Sequence, residues 1–350
     1  MSFSIEIDLN AILNNVKVAK NDAKDKKICA VVKANAYGHG AKRVCRAIYD
    51  EVDYFAVATA REGALLKKQG VNKPILVLFP TDSDTNICIN YGLAIGVGSI
   101  EQVKKVVKLF DRYQKSCPVH IQIDSGMHRF GFSSIDTVSK AMSLLKDCPV
   151  CGVYSHVYSM QSYNAQIDKF IPFERKVKSI FPSAISHLSS TSYIDKPYGD
   201  MVRLGLGLYG YPRQKFAPAM QISSEVLAVK ELCPHEVCGY DGIYFSGNET
   251  QMIATIKGGY ADGIHRRFRG RVGVLFKGEI LPIIAVCMDS VIVKVGSQKI
   301  CRGDKVYFVG KSDSTEYYFD DIARNIDTIP YEIMTNLSQR ARRRYFGIKN

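Results

Sequence analysis

Short apolar runs rich in β-branched residues alternate with longer amphipathic stretches from residue 28 to residue 204, and no other feature of the chain restricts its fold as much. The runs fall at 28–32, 54–58, 74–78, 93–97, 119–124, 150–156, 183–187 and 201–204. Each has the length of a buried parallel strand. Helical periodicity fills 41–49, 61–69, 100–113, 135–145 and 165–180, while the connections after the third and seventh runs are less clearly helical. Eight strand–helix units in a row predict an α/β fold, a closed (β/α)8 barrel of the TIM type. An open doubly wound sheet is the alternative. It normally uses fewer units, and no Gly-x-Gly-x-x-Gly fingerprint follows the first run.

Past residue 218 the pattern changes to strands without long helices between them, at 226–230, 252–256, 272–276, 280–286, 291–295 and 305–309. Lys277-Gly278-Glu279 reads as a hairpin turn, and helices are expected over 320–325 and 331–344. Residues 3–7 alternate at period two, which suits a strand of this second region. The expected division is a barrel over 9–217 and a mostly β domain over 218–350 that also takes in 1–8. With 350 residues, 46% of them hydrophobic, the chain can bury a core in each.

Composition narrows the setting. No stretch approaches the roughly 20 apolar residues of a membrane span, and Met1–Asn10 carries Glu6 and Asp8 where a secretory signal would be basic and then apolar. Ten scattered cysteines suggest a reducing cytoplasm. Cys148 and Cys151 form a lone CxxC with no second pair at zinc-ligand spacing, so no metal is expected. The net charge of +13 invites a nucleic-acid reading. The basic residues are spread out, however, and Arg340, Arg342, Arg343 and Arg344 read as the solvated face of a helical tail, so neither a nucleic acid nor a membrane is expected as a partner. A basic protein also attracts small anionic ligands.

Barrel active sites gather at the C-terminal ends of the strands. Lys33 ends the first run, Arg129 lies in the loop after the fifth, and His156 ends the sixth. Ser189, Ser190 and Thr191 follow the seventh, and Arg203, Gly205 and Gly207 close the eighth. Hydroxyls and glycines after the last two strands suit a phosphate. A lysine, a phosphate cradle, a histidine and two arginines together suggest pyridoxal phosphate, with the lysine capturing its aldehyde.

These residues carry a resemblance. Ala30-Val31-Val32-Lys33-Ala34-Asn35-Ala36-Tyr37-Gly38-His39-Gly40 resembles the cofactor-lysine motif of alanine racemases. Ile7-Asp8-Leu9-Asn10-Ala11, the Asp124–Gly131 loop, Met201-Val202-Arg203-Leu204-Gly205-Leu206, Gly259-Tyr260-Ala261-Asp262-Gly263, Cys287-Met288-Asp289 and Ile329-Pro330-Tyr331-Glu332 match in order, so the likeness spans essentially the whole chain. It implies a PLP-dependent enzyme interconverting L- and D-alanine, supplying D-alanine for cell-wall peptidoglycan. It also implies a homodimer whose two active sites each borrow residues from the other chain.

The resemblance further implies roles. Lys33 binds the cofactor and serves as base on the D face; Tyr240, from the partner chain, is the base on the L face. Tyr37, Thr191, Gly205, Leu206 and Tyr331 hold the phosphate. Arg203 faces the pyridine nitrogen and bonds His156, which packs on the ring. Arg129 contacts the phenolic oxygen and the substrate carboxylate, and Met288 offers that carboxylate its N–H. The chemistry is consistent: racemisation needs a base on each side of a planar carbanion. Lysine and tyrosine, with ordinary pKa values of about 10, fall toward a usable range beside several cations.

The chain departs from the family at three points. Gln122 stands where many relatives have a carbamylated lysine that steadies the active-site arginine, so Arg129 needs another neighbour or an anion. Ser190 replaces an asparagine in the phosphate loop. Asp241 follows Tyr240 in place of a glycine, with one extra residue before Tyr260, which makes Tyr244 a local competitor for the base. Other readings are a non-catalytic PLP carrier, a racemase for serine or a bulkier amino acid, and a basic amino-acid decarboxylase using Cys287. The carrier reading is weakened because single-domain carriers lack the second domain with Tyr240 and Met288.

Overall fold

The computed structural model describes residues 3–115 and 117–348. Two compact units divide the chain. One holds Ala11–Ala36 and Gly40–Ala217; the other holds Met1–Asn10, Tyr37–His39 and Pro218–Asn350. Strand β1 (Ser4–Asp8) belongs to the second.

In the first unit eight strands run parallel: β2 (Lys27–Val31), β3 (Tyr54–Val57), β4 (Ile75–Val77), β5 (Ala94–Val97), β6 (Val119–Gln122), β7 (Val150–Tyr154), β8 (Ile185–His187) and β9 (Met201–Leu204). β4, β5, β6 and β9 are buried along their whole length; β4 and β5 read as continuous apolar runs for that reason, while β6 and β9 bury His120, Gln122 and Arg203 among their apolar residues. β9 pairs back onto β2 with Cys29 opposite Arg203. Between β8 and β9 the join is a bridge, Ser190 to Arg203, with the Arg203 N–H donating to the Ser189 carbonyl at 3.1 Å. Arg203 therefore sits on the barrel seam. Helix caps set the connections: Thr59 and Glu62 form a capping box on Ala60–Lys68, and Ser99 and Ser134 cap Ile100–Tyr113 and Ile135–Leu144.

The two connections without clear periodicity differ from each other. After β4 there is a helix, Asp84–Tyr91, whose buried face includes Asp84 and Thr85. Polar residues on the inner face hide the helical pattern. After β8 there is only a 3-10 turn, Thr191–Tyr193. The exit from β2 has another form. Ala34, Asn35, Ala36 and Tyr37 have φ of 51°, 53°, 54° and 50°, a left-handed turn made without glycine. Such backbone costs about 1–2 kcal/mol per residue and persists only where neighbours fix it.

The second unit holds a nine-stranded sheet. It contains β1, β10 (Met220–Leu232), β13 (Gln251–Lys257), β14 (Gly273–Phe276), β15 (Glu279–Val286), β16 (Ser290–Lys294), β17 (Lys305–Ser312), β18 (Thr315–Tyr317) and β19 (Arg342–Phe346), while β11 (Val237–Cys238) and β12 (Tyr244–Phe245) make a separate hairpin. β10 bonds both β13 and β17, which closes the sheet on itself. Helix Phe319–Asn325 lies where one was expected.

The expected helix over 331–344 is wrong. Helix Pro330–Thr335 stops after one and a half turns, and β19 runs parallel to β1 from Arg342 opposite Ser4. The arginines are not on a helix: Arg342 and Arg344 are exposed on β19, while Arg340 and Arg343 are engaged. Arg340 forks onto Asp262 at 2.7 and 2.9 Å and reaches Asp289 at 2.7 Å, and Arg343 donates to the carbonyls of Gly38, Leu337, Ser338 and Ala341. These tertiary bonds, together with the free edge of β1, draw the chain out and override the helix propensity of the arginine run. Among the described residues no helix is long and apolar enough to cross a membrane, and no group of three or more His, Cys, Asp or Glu is placed to hold a metal.

Candidate active site

Lys33 leaves β2 at the C-terminal mouth of the barrel, half-buried, with its Nζ 5.7 Å above the Phe79 ring. The Arg129 guanidinium lies over the same ring at 4.8 Å. Burial lowers the Lys33 pKa first, Arg129 and Arg203 push it down further, and Glu62 opposes them. The loop carrying Arg129 is fixed by Asp124, whose Oδ1 accepts from the N–H groups of Gly126 and His128 at 2.9 and 3.0 Å. Gly131 closes it at φ +125°, where a Cβ would lie 2.7 Å from the Asp124 nitrogen.

Arg203 is 5% exposed and meets only neutral acceptors. Nη1 donates to the His187 Nδ1 at 2.7 Å and to its carbonyl at 2.6 Å; Nη2 donates to the Ser155 carbonyl at 2.6 Å and approaches the His156 Nδ1 at 3.5 Å. Its Nε–H makes no hydrogen bond among the described residues. Burial, then Arg203 and Arg129, hold His156 neutral with a pKa of about 3. Thr191 Oγ1 accepts from the N–H groups of Gly205 and Gly207 at 3.1 and 3.2 Å, which ties the loop after β8 to the turn Leu206–Tyr209 after β9.

In the second unit Tyr37 is buried and its ring tilts against Tyr331 at 5.6 Å between centroids. Burial raises the pKa of both phenols. Loop 287–289 is zipped to loop 259–263: Tyr260 and Ala261 donate their N–H groups to the carbonyls of Cys287 and Met288 at 3.0 and 3.1 Å. A Cβ on Gly259 would meet the Cys287 carbonyl at 2.3 Å, so glycine is required there. The Met288 N–H itself has no acceptor among the described residues. Tyr240 is 70% exposed and its hydroxyl has no hydrogen bond among the described residues, whereas Tyr244 donates to Gln251 Oε1 at 2.7 Å and packs on Leu232, Ile253 and Ile284.

Comparison with known proteins identifies the family of this fold. The profile for the alanine racemase N-terminal domain matches residues 7–213, and that for the alanine racemase C-terminal domain matches 219–345. The chain belongs to the alanine racemase family. An alanine racemase of Caldanaerobacter subterraneus is 31% identical, with 99% of this chain and 97% of that one covered. The solved alanine racemase of Clostridium difficile 630 superposes with a TM-score of 0.90 at 31% identity, over 99% of this chain and 96% of that one. The Bartonella henselae alanine racemase, 27% identical with a TM-score of 0.87 over 99% and 100% of the two chains, was solved with covalently bound pyridoxal phosphate. The family is PLP-dependent.

Several residues at this mouth escape a sequence reading of an alanine racemase. Phe79 directly follows the third apolar run and could have been found by position. Tyr154 and His187 adjoin residues already singled out, and they stack at 4.8 Å with their planes 6° apart. The Tyr154 hydroxyl donates to Gln122 Oε1 at 2.7 Å. Gln122 thus serves a phenol, and Arg129 has the Phe79 face as its neighbour. Glu62 gave no sequence signal beyond its helix cap.

Proposed function

We propose that this chain racemises alanine with pyridoxal phosphate, Lys33 acting on the D face and Tyr240 of the partner subunit on the L face. The observation that carries the reading is the charge balance at the barrel mouth: a half-buried amine stands among two guanidiniums and a histidine held neutral, with Glu62 the one carboxylate acting on the amine. Such a set fits an anionic, aldehyde-bearing ligand. When bound, the cofactor supplies an electron sink for the charge left at the substrate Cα.

The residues account for the rest. Burial and two neighbouring cations bring the Lys33 amine toward the neutral form that can take a proton. His156 stays unprotonated and does not compete as a donor. Arg203 has its Nη groups on fixed acceptors, which leaves Nε–H for the pyridine nitrogen. A permanent cation there discourages protonation of that nitrogen and keeps the sink weak, favouring reprotonation over side reactions. Arg129 has its guanidinium edge for the phenolic oxygen and a carboxylate, and the unpaired Met288 N–H suits the same carboxylate. Thr191, Gly205 and Leu206, with Tyr37 and Tyr331, are the proposed phosphate contacts. The free hydroxyl of Tyr240 supports it over Tyr244 as second base. The working division is a catalytic barrel over 9–217 and a β domain over 218–350 with 1–8, in a cytoplasmic homodimer making D-alanine for peptidoglycan.

The test is purification with pyridoxal phosphate, an absorbance scan, and a chiral assay on L-alanine and L-serine. The protein should show a visible band that Lys33→Ala abolishes, and should form D-alanine faster than D-serine. Cofactor held covalently on another lysine in Lys33→Ala would overturn the site.

A further inference from the structure

Glu62 divides its two carboxylate oxygens. Oε2 accepts from the N–H groups of Ala58 and Thr59 at 2.9 and 3.2 Å, the ordinary work of a capping box on helix Ala60–Lys68. Oε1 does something a cap does not need: it accepts the N–H of Ala34 at 2.6 Å, across to the exit of β2. Ala34 is the residue after Lys33 and the first of the left-handed turn. The rest of that turn has its own fixings. Ala36 N–H reaches the Val32 carbonyl, Gly40 N–H reaches the Asn35 carbonyl, and Asn35 Oδ1 takes the Ala41 N–H, each at 2.9 Å. The Ala34 amide depends on the carboxylate.

We propose that Glu62 is a positioning residue for Lys33: its Oε1 pins the strained junction from which the lysine side chain projects, while its Oε2 anchors that pin to the capped helix. This rests on Lys33 being the cofactor lysine. A charged acceptor makes the stronger hydrogen bond, and left-handed backbone on non-glycine residues needs one. The same carboxylate is the anionic influence on the Lys33 amine, which otherwise faces Arg129, Arg203 and the neutral His156.

Glutamine separates the two oxygens, because an amide has one acceptor where the carboxylate has two. The experiment uses cofactor-free protein, so its outcome is independent of racemase turnover. Lys33 acetylation by acetic anhydride is followed against pH by peptide mass spectrometry, and exchange of the Ala34 amide by hydrogen–deuterium measurement. Glu62→Gln should speed Ala34 exchange at least severalfold and move the Lys33 labelling midpoint to lower pH. Thr59→Ala removes the other half of the capping box without touching Ala34, and should lower thermal stability while leaving both readouts as in wild type. Unchanged exchange and labelling in Glu62→Gln, or an equal change in Thr59→Ala, would reduce Glu62 to a helix cap and overturn the proposal.

Discussion

Arg203 donates through Nη1 to Nδ1 of His187 at 2.7 Å, and that bond fixes the proton positions of two buried histidines. A guanidinium can only donate, so His187 Nδ1 is bare and its proton is on Nε2. That N–H faces His120 Nδ1 at 2.9 Å, which places the His120 proton on Nε2, an atom with no partner among the described residues. Burial and then Arg203 push both pKa values down, that of His120 to about 3. Arg203 is thus oriented by neutral acceptors and keeps its full charge.

Replacing His187 with leucine removes a side-chain acceptor from a buried cation. Hydrogen bonds to charged groups contribute about 1.5–3 kcal/mol, so urea unfolding should show a loss of that size. Turnover should fall about tenfold or more as the guanidinium loses its direction, equivalent to ~1.4 kcal/mol or more in the barrier. Wild-type turnover in His187→Leu would show that the histidine supports the barrel and not the arginine.

His120 and His187, together with His156, predict acid sensitivity. Folding depresses the pKa values of His120 and His156 from 6.5 to about 3 and lowers that of His187 well below 6.5. Below the unfolded value the unfolded chain binds protons that the folded one refuses. The stabilisation from His120 and His156 is therefore complete above about pH 6.5 and is lost as pH falls toward 3, at about 1.4 kcal/mol per pH unit for each of the two, and His187 acts in the same direction. Unfolding free energies at pH 7, 6 and 5 should fall steeply, and less steeply in His120→Leu. Equal slopes for the two proteins would exclude His120 from the effect.

Gly152 is where this arrangement meets the backbone. A Cβ there would lie 2.3 Å from His120 Nδ1 and 2.6 Å from its Cε1, a contact the buried ring can relieve only by moving. Gly152→Ala should cost about 1–3 kcal/mol as overpacking. It should also disturb Arg203 through His187, so cofactor retention on gel filtration should drop along with the melting temperature. A stability loss with cofactor retention intact would separate the ring pair from the arginine.

The barrel was legible because buried parallel strands are apolar runs, and the lysine motif stands at the end of one. Helix Asp84–Tyr91 was not, because Asp84 turns inward to accept from the Thr81 N–H and hydroxyl at 2.8 and 2.9 Å, putting a charge on the face that should look apolar. The tail was misread because what straightens it, Arg340 on Asp262 and Asp289, lies 78 and 51 residues away along the chain. The site's first contacts follow from strand ends, which periodicity reveals. Its positioning contacts, such as Glu62 on Ala34 and His120 on His187, are pairings across 28 and 67 residues that no local pattern encodes.

Tyr331 bears on substrate choice. On the proposed function it would form one wall of the substrate pocket; it is 37% exposed, and its ring tilts against that of Tyr37 at 5.6 Å between centroids. A methyl side chain suits such a wall. A hydroxymethyl fits less well, at a cost of only ~1–3 kcal/mol, so serine should react slowly, and lysine or arginine not detectably. Tyr331→Asn should raise serine turnover relative to alanine and weaken cofactor retention. Wild-type protein that racemises serine faster than alanine would reverse the substrate assignment.

Tyr240 gives the sharpest test of the two-base reading, because its hydroxyl is unbonded among the described residues and the residue is 70% exposed, so Tyr240→Phe removes a proton acceptor while disturbing little else. Loss of a general base typically costs ~10²-fold or more, and here the loss should fall on proton abstraction from L-alanine. Exchange of the D-alanine α-proton, assigned to Lys33, should survive better. Equal loss for both enantiomers would point to Tyr244 or to structural damage. The dimer adds a second arm. If the base comes from the neighbouring chain, Lys33→Ala and Tyr240→Phe proteins are each inactive. In a mixed dimer, one site combines the intact Lys33 of one chain with the intact Tyr240 of the other, and the second site has neither. Random exchange makes about half the dimers mixed, with one working site each, so activity should return to roughly a quarter of wild type. No recovery, with subunit exchange confirmed by mass-tagged chains, would mean that both bases belong to one subunit.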